Sequence, residues 1–375
     1  MSLSRQTYEE YFARIKSGDP SKLVVIIDEA QFVAKRDTSF MEAVAKLKKH
    51  KLYPGPVLII LATSSTVWAT QEAAEQFKGA EMKLGSLNFL EVVRHFESLP
   101  VAEIVRIYGA IGGVPAYLDK WDAAKSFKDN ICRLVLTSSG ALYGEADAVI
   151  SAELRELSAY STILAAIARG ENKLNDIFHA TGFSRAKISV YLKNLANFNI
   201  VEKVVSFETG GWENAKKGVY QIKDTFVNFW FKFVYPNMSD LYLLSPEEFY
   251  DTYIEKELDA YLERYFREVC TEYLLILNQM GQLPFTIKRV GTWIGKTGRI
   301  DIVAQSEDRR SIIGFCNWDK PMMTMDMCEN MAMAMDQARL TSDDYYLFSA
   351  TDFEPALQSY VVRDPRFKLI NMNEL

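Results

Sequence analysis

Two acidic residues, Asp28 and Glu29, follow directly on the apolar run Leu23-Val24-Val25-Ile26-Ile27. That order suits phosphate chemistry. One carboxylate can hold a magnesium ion that bridges phosphate oxygens, and the next can polarise an attacking water. Asp28 takes the metal role in this reading and Glu29 the catalytic one. A second apolar run, Val57-Leu58-Ile59-Ile60-Leu61-Ala62, ends in Thr63-Ser64-Ser65. Ser64 and Ser65 stand where a nucleotide-binding protein senses the γ-phosphate. The plainer alternative is a strand that ends in solvated acids, beside a strand that runs into a helix cap.

Both runs are rich in β-branched residues and continuous, so they read as parallel strands buried on both faces. An amphipathic helix from about Phe40 to His50 joins them. In an open α/β sheet, ligands bind at the carboxyl edge of the strands, which is where these polar residues fall. A phosphate cradle of the form G-x-x-x-x-G-K-[ST] does not precede Asp28. Gly295-Lys296-Thr297 is a decoy, because Gly291 stands one residue too close and bulky Thr292-Trp293-Ile294 fill the interval.

A different chemistry lies further along. Tyr160 to Arg169 is apolar at helical spacing and stops at Gly170. Leu174 to Thr181 is a second short helix, and Ser184 caps a third in which Ile188, Leu192 and Leu195 share a face. Ile200 to Val205 and Gly218 to Ile222 alternate as a hairpin. Three helices and a hairpin make a winged helix-turn-helix, whose third helix can enter a DNA major groove. Arg185, Lys187, Ser189 and Lys193 on that helix, with Lys216 and Lys217 in the wing, would contact DNA. The competing reading is a module that packs on protein, because Val190 shares the outer face and the local charges nearly cancel.

From Phe89-Leu90-Glu91 the text is helical up to the turn Gly112-Gly113-Val114-Pro115-Ala116-Tyr117-Leu118, and Asn130-Ile131 and Leu142-Tyr143-Gly144-Glu145 follow. In this order, with the Asp-Glu strand before them, these segments resemble the prokaryotic (archaeal-type) AAA/STAND ATPases over essentially the whole chain. The resemblance implies an α/β multidomain protein. Its parts would be a partial P-loop NTPase core with the Walker B strand (1–85), a helical lid (86–150), a winged helix (151–225) and a C-terminal restriction-endonuclease-like α/β domain behind an aromatic linker (226–375). It also implies ATP and magnesium as family cofactors. In that family the phosphate loop, its helix and a further strand precede the stretch matching Leu3 to Asp19, so the chain is expected to be truncated at its N-terminus.

The tail order is a helix from about Ile254 to Leu277, strands at Phe285 to Val290, Arg299 to Gln305 and Ser311 to Trp318, another helix, and the strand Tyr345 to Ser349. It resembles the PD-(D/E)XK nucleases, which need an Asp on one strand and Glu-x-Lys on the next to bind magnesium and orient water. Asp301 is the residual carboxylate, with Glu268 as a possible companion. The Glu-x-Lys slot falls on Phe315-Cys316-Asn317, and Asp319 lies past the strand's end, so the nuclease site is expected to be dead.

Composition narrows the rest. A net charge of −6 over 375 residues argues against general nucleic-acid coating. The four cysteines have no metal or disulfide spacing, and neither a signal segment nor a bilayer-length run occurs. A cytoplasmic protein that avoids membranes is expected. The methionines from Met322 to Met335 could be copper(I) ligands but read better as helix packing. His50, His95 and His179 are isolated. The resulting expectation is a DNA- or protein-binding regulatory module that lacks the phosphate loop, with a protein partner or self-association possible. The alternatives are a working ATPase whose loop lies elsewhere and, against Phe315 and Asn317, a metal-dependent nuclease.

Overall fold

In the computed structural model the first apolar run forms β1 (Leu23–Ile27) and the second forms β2 (Val57–Leu61), paired in parallel with Leu23 opposite Val57. The structure describes residues 7–15, 22–49, 53, 55–65, 68–151, 154–207, 218–295 and 298–375. Contacts divide the chain once, after Gly85.

In the first unit the strands are joined through two helices, α1 (Ala30–Ala34) and α2 (Thr38–Lys48). Asp37 caps α2 by accepting from the backbone N–H of Ser39 at 2.9 Å. Helical spacing then aims Phe40, Val44 and Leu47 at Leu23 and Val25, and Trp68 closes that core. The expectation of strands buried on both faces is corrected here. Val24 and Ile26 are 56% and 67% exposed, and Leu58 and Ile60 beside them are exposed too. Strand side chains alternate between faces. Among the described residues, the helices of this unit pack on one face only.

The second unit begins with α3 (Phe89–His95), capped by the reciprocal pair Asn88 and Glu91, and α4 (Val101–Ile111). The two glycines after α4 have separate jobs. Gly112 takes φ 69° to end the helix, and at Gly113 a Cβ would lie 1.9 Å from the carbonyl oxygen of Leu87. That close approach lets Leu87 donate its N–H to the Gly113 carbonyl at 2.8 Å.

After several shorter helices come α5 (Leu157–Ala168), α6 (Leu174–Thr181) and α7 (Arg185–Asn197). Gly170 and Gly182, both at positive φ, separate them. The antiparallel ribbon β3 (Val201–Val204) and β4 (Val219–Ile222) comes next. The aromatic run then buries Phe226, Phe229, Trp230, Phe231 and Phe233 in a core that continues from α3 to the C-terminal strand.

The tail is a five-stranded mixed sheet of β5 (Arg289–Ile294), β6 (Arg299–Gln305), β7 (Ser311–Asn317), β8 (Asp344–Ser349) and β9 (Phe367–Asn371), in the order β9-β8-β7-β6-β5. β5, β6 and β7 are antiparallel, whereas β7, β8 and β9 run parallel. Helix α8 (Leu258–Gln279) covers one face through Phe266, Cys270 and Leu274. Helix α9 (Met325–Ala338) covers the other through Met331, Ala334 and Met335, so these methionines pack.

The expected strand from Phe285 to Val290 is displaced, because β5 starts at Arg289. The backbone of Ile287 is instead tied to the Asn278 side chain of α8, its N–H donating at 2.7 Å and its carbonyl accepting at 3.2 Å. The outer edge of β5 receives Ser206 and Phe207 from the chain beyond β3. Phe207 donates its N–H to the Thr292 carbonyl at 2.8 Å, and the Ser206 hydroxyl accepts from Ile294 N–H at 2.8 Å. The Phe207 ring is buried with Ile300, Val303 and Ile313.

Candidate functional sites

The polar edge of the first unit is built where β1 and β2 end side by side. Asp28 is exposed, and its carboxylate accepts from the backbone N–H of Glu29 at 3.0 Å. Glu29 itself takes a left-handed φ of 48°. That turn aims its carboxylate at β2, where one oxygen accepts from Ser64 N–H at 3.1 Å, Ser64 hydroxyl at 2.9 Å and the Gln31 amide at 2.5 Å. The Gln31 amide, the Ser64 N–H and the Ser64 hydroxyl together hold the Glu29 carboxyl below its ordinary range, against a smaller opposing effect of burial. Ser65 turns inward instead. It is buried, donates its N–H to Thr63 at 3.0 Å, and accepts from Trp68 N–H at 3.4 Å.

The sequence reading missed Gln31. It is 2% exposed, bonds Glu29 and Ser64 through its amide nitrogen, and leaves its buried amide oxygen without a hydrogen bond. Its position three residues after Asp28 is the only sequence signal for it. The arrangement presents two carboxylates to solvent with neutral donors behind one of them, so negative charge remains available to a cation.

On α7, Arg185, Ser189 and Lys193 are exposed at i, i+4 and i+8, which places them in one row. Arg185 is steadied by the Phe178 ring 4.2 Å beneath its guanidinium and by Asn175, which accepts from its Nε at 3.0 Å. Val190, 57% exposed, flanks the row. Lys187 leaves it, lying half-buried over Phe183 at 4.4 Å and Tyr191 at 5.3 Å. Lys216 and Lys217 lie outside the described residues, as does His50.

In the tail, Asp301 is buried under α8, where one oxygen accepts from Arg267 at 3.0 Å and forms an ion pair with Arg299 at 2.8 Å. Its other oxygen accepts from the backbone N–H of Cys316 at 3.1 Å. Glu268 pairs with Arg264 at 2.8 Å and Asp319 with Lys320 at 2.7 Å. The expected slot is corrected on one point. Phe315 packs with the cluster on the α9 face, and Asn317 hydrogen-bonds Ser349 and Thr351, whereas Cys316 is the residue of β7 that meets Asp301. Two guanidinium groups and one backbone N–H thus surround the Asp301 carboxylate. Among the described residues, no three His, Cys, Asp or Glu side chains gather as a metal site, and no helix is long and apolar enough to cross a membrane.

Residues 230–333 match the family DUF234, described as archaea bacterial proteins of unknown function. Over 323 residues the chain is 28% identical to an uncharacterised protein of Methanocaldococcus jannaschii, covering 84% of this chain and 71% of that one. Among solved structures it is similar to a Walker-type ATPase of Pyrococcus abyssi at 17% identity and a TM-score of 0.37, over 56% of this chain and 63% of that one. It thus spans less than two thirds of that ATPase. A protein from Vibrio cholerae aligns at 10% identity and a TM-score of 0.24, over 94% and 88% of the two chains.

Proposed function

We propose that this chain is a DNA-binding regulatory module of an ATPase-like family, and that its nuclease-like tail serves as scaffold. The observation that carries this reading is the row Arg185, Ser189 and Lys193 on the outer face of α7. The row belongs to the third of three helices before a hairpin, the winged-helix arrangement in which such a helix enters the major groove. Arg185 is already ordered by Phe178 and Asn175, so less rotamer entropy is lost when it meets a phosphate or base edge. The tail would add rigidity without cutting, because Asp301 is neutralised by Arg267 and Arg299.

The test is fluorescence anisotropy of the full chain with a duplex over a range of salt. Arg185→Ala with Lys193→Ala should weaken binding and flatten the slope of log affinity against log salt by about 0.9 per lost phosphate contact. Unchanged binding in the double variant would sink the DNA reading and leave α7 as a protein-docking face.

One observation favours a second role, response to a magnesium–nucleotide. Glu29, just past β1, and Ser64, just past β2, meet at the carboxyl edge of parallel strands. Asp28 would hold the ion and Glu29 would orient water. The phosphate cradle is not among these 375 residues, so the affinity of this chain alone should be weak. Calorimetry with Mg-ATP decides it: micromolar binding that vanishes in Asp28→Ala would mean that another segment cradles the phosphates.

A further inference from the structure

The junction of α8 and the sheet at Asp301 also holds two of the four cysteines. Cys270 on α8 is fully buried, Cys316 on β7 is half-buried, and both are free thiols. Asp301 is the hinge that brings them together. Arg267, one helical turn before Cys270, donates to one of its oxygens, and the backbone N–H of Cys316 donates to the other. Cys316 packs against the core cluster in which Cys270 is buried. Burial pushes the Cys270 thiol well up, and neighbouring Cys316 adds to this while Arg267 opposes it. Cys316 is therefore partly accessible to a reagent, whereas Cys270 is enclosed.

We infer that Cys316 and Cys270 form a reversible oxidation site that accepts a low-molecular-weight disulfide, with Cys316 attacking and Cys270 resolving. The Cys316 thiolate attacks one sulfur of glutathione disulfide. That S–S bond breaks, and the first glutathione leaves with the proton Cys316 gave up. Cys270 then loses its proton and attacks the Cys316 sulfur, displacing the second glutathione as a thiol. Two protein thiols are oxidised to one disulfide, and one glutathione disulfide is reduced to two thiols. The order follows from access, since Cys270 cannot meet the reagent directly. The second step is driven by proximity and slowed by the burial of Cys270.

The bond would tie α8 to β7. Helix α8 also braces the hairpin, because Arg264 donates to the carbonyl of Ile222 in β4 at 2.9 Å. Oxidation would thus stiffen the support on which the ribbon next to α7 rests.

The experiment incubates the full chain with glutathione disulfide, alkylates the remaining thiols and maps the unreduced digest by mass spectrometry. Free thiols should fall from four to two, with a cross-link joining the peptides of Cys270 and Cys316. Dithiothreitol should restore all four, and the oxidised chain should melt at a higher temperature than the reduced one. In Cys270→Ala, Cys316 should keep a glutathionyl group; in Cys316→Ala, no cross-link should form at Cys270. Four thiols remaining after prolonged incubation would overturn the inference. So would a cross-link to Cys132 or Cys328, or a glutathionyl group that persists on Cys316 while Cys270 is present.

Discussion

Glu29 and Asp301 are both carboxylates with three partners, but the partners differ. Glu29 is held by a serine hydroxyl, a backbone N–H and a glutamine amide, none of which is charged. Asp301 is held by two guanidinium groups and one backbone N–H. Neutral donors lower a carboxyl's pKa without cancelling its charge, whereas an arginine pair cancels it. The first carboxylate, with exposed Asp28 beside it, can still attract a cation. The second has become a structural joint between a helix and a sheet. Two acids that look alike in sequence are thus separated by the charge of what faces them.

The widest separation should appear in stability. Asp301→Ala leaves Arg267 partly buried without its partner and Cys316 N–H without its acceptor, so urea denaturation should show a loss of about 3 kcal/mol. Asp28→Ala, at an exposed position, should stay within about 0.5 kcal/mol. Equal losses at the two sites would erase the contrast.

A smaller difference should appear with metal. Manganese or magnesium should bind weakly at the polar edge, and Asp28→Ala should lower that affinity by about tenfold, or about 1.4 kcal/mol. Asp301→Asn should leave metal affinity unchanged, and plasmid DNA should stay intact with either ion. Metal-dependent cleavage lost in Asp301→Asn would reverse the assignment of the tail.

The smallest effect belongs to Ser64→Ala. It removes one of three donors to Glu29 and should cost about 1 kcal/mol or less at neutral pH. Because the folded carboxyl is depressed, the stabilisation is complete above the unfolded carboxylate range. It is lost as pH falls through the folded value. An NMR titration should place the Glu29 midpoint higher in Ser64→Ala than in the wild type.

Local pattern carries much of this molecule. The apolar runs locate β1 and β2, and Ser184 locates the start of α7, because strand period and cap chemistry act over a few residues. Acids at the end of β1 and serines at the end of β2 are legible for the same reason. What the runs conceal is which face has a neighbour, and Val24, Ile26, Leu58 and Ile60 stay open although they look like core. Long-range partners are equally hidden. Nothing near Asp301 in sequence announces Arg267, Gln31 gives no sign that it will face Ser64, and the alternation around Phe285 imitates a strand that Asn278 has already claimed.

The docking of Ser206 and Phe207 on β5 has a consequence for how the chain is made. Ser206 and Ile294 are 88 residues apart, so this pairing needs a large loop to close and should form late. Until then β5 presents a bare hydrogen-bonding edge, with Trp293 and Ile294 beside it, to any other unfinished chain. A partly folded molecule would find a second copy's strand as good a partner as its own. Losses during synthesis should therefore rise with concentration and temperature, and Phe207 should protect yield more than it protects the finished fold.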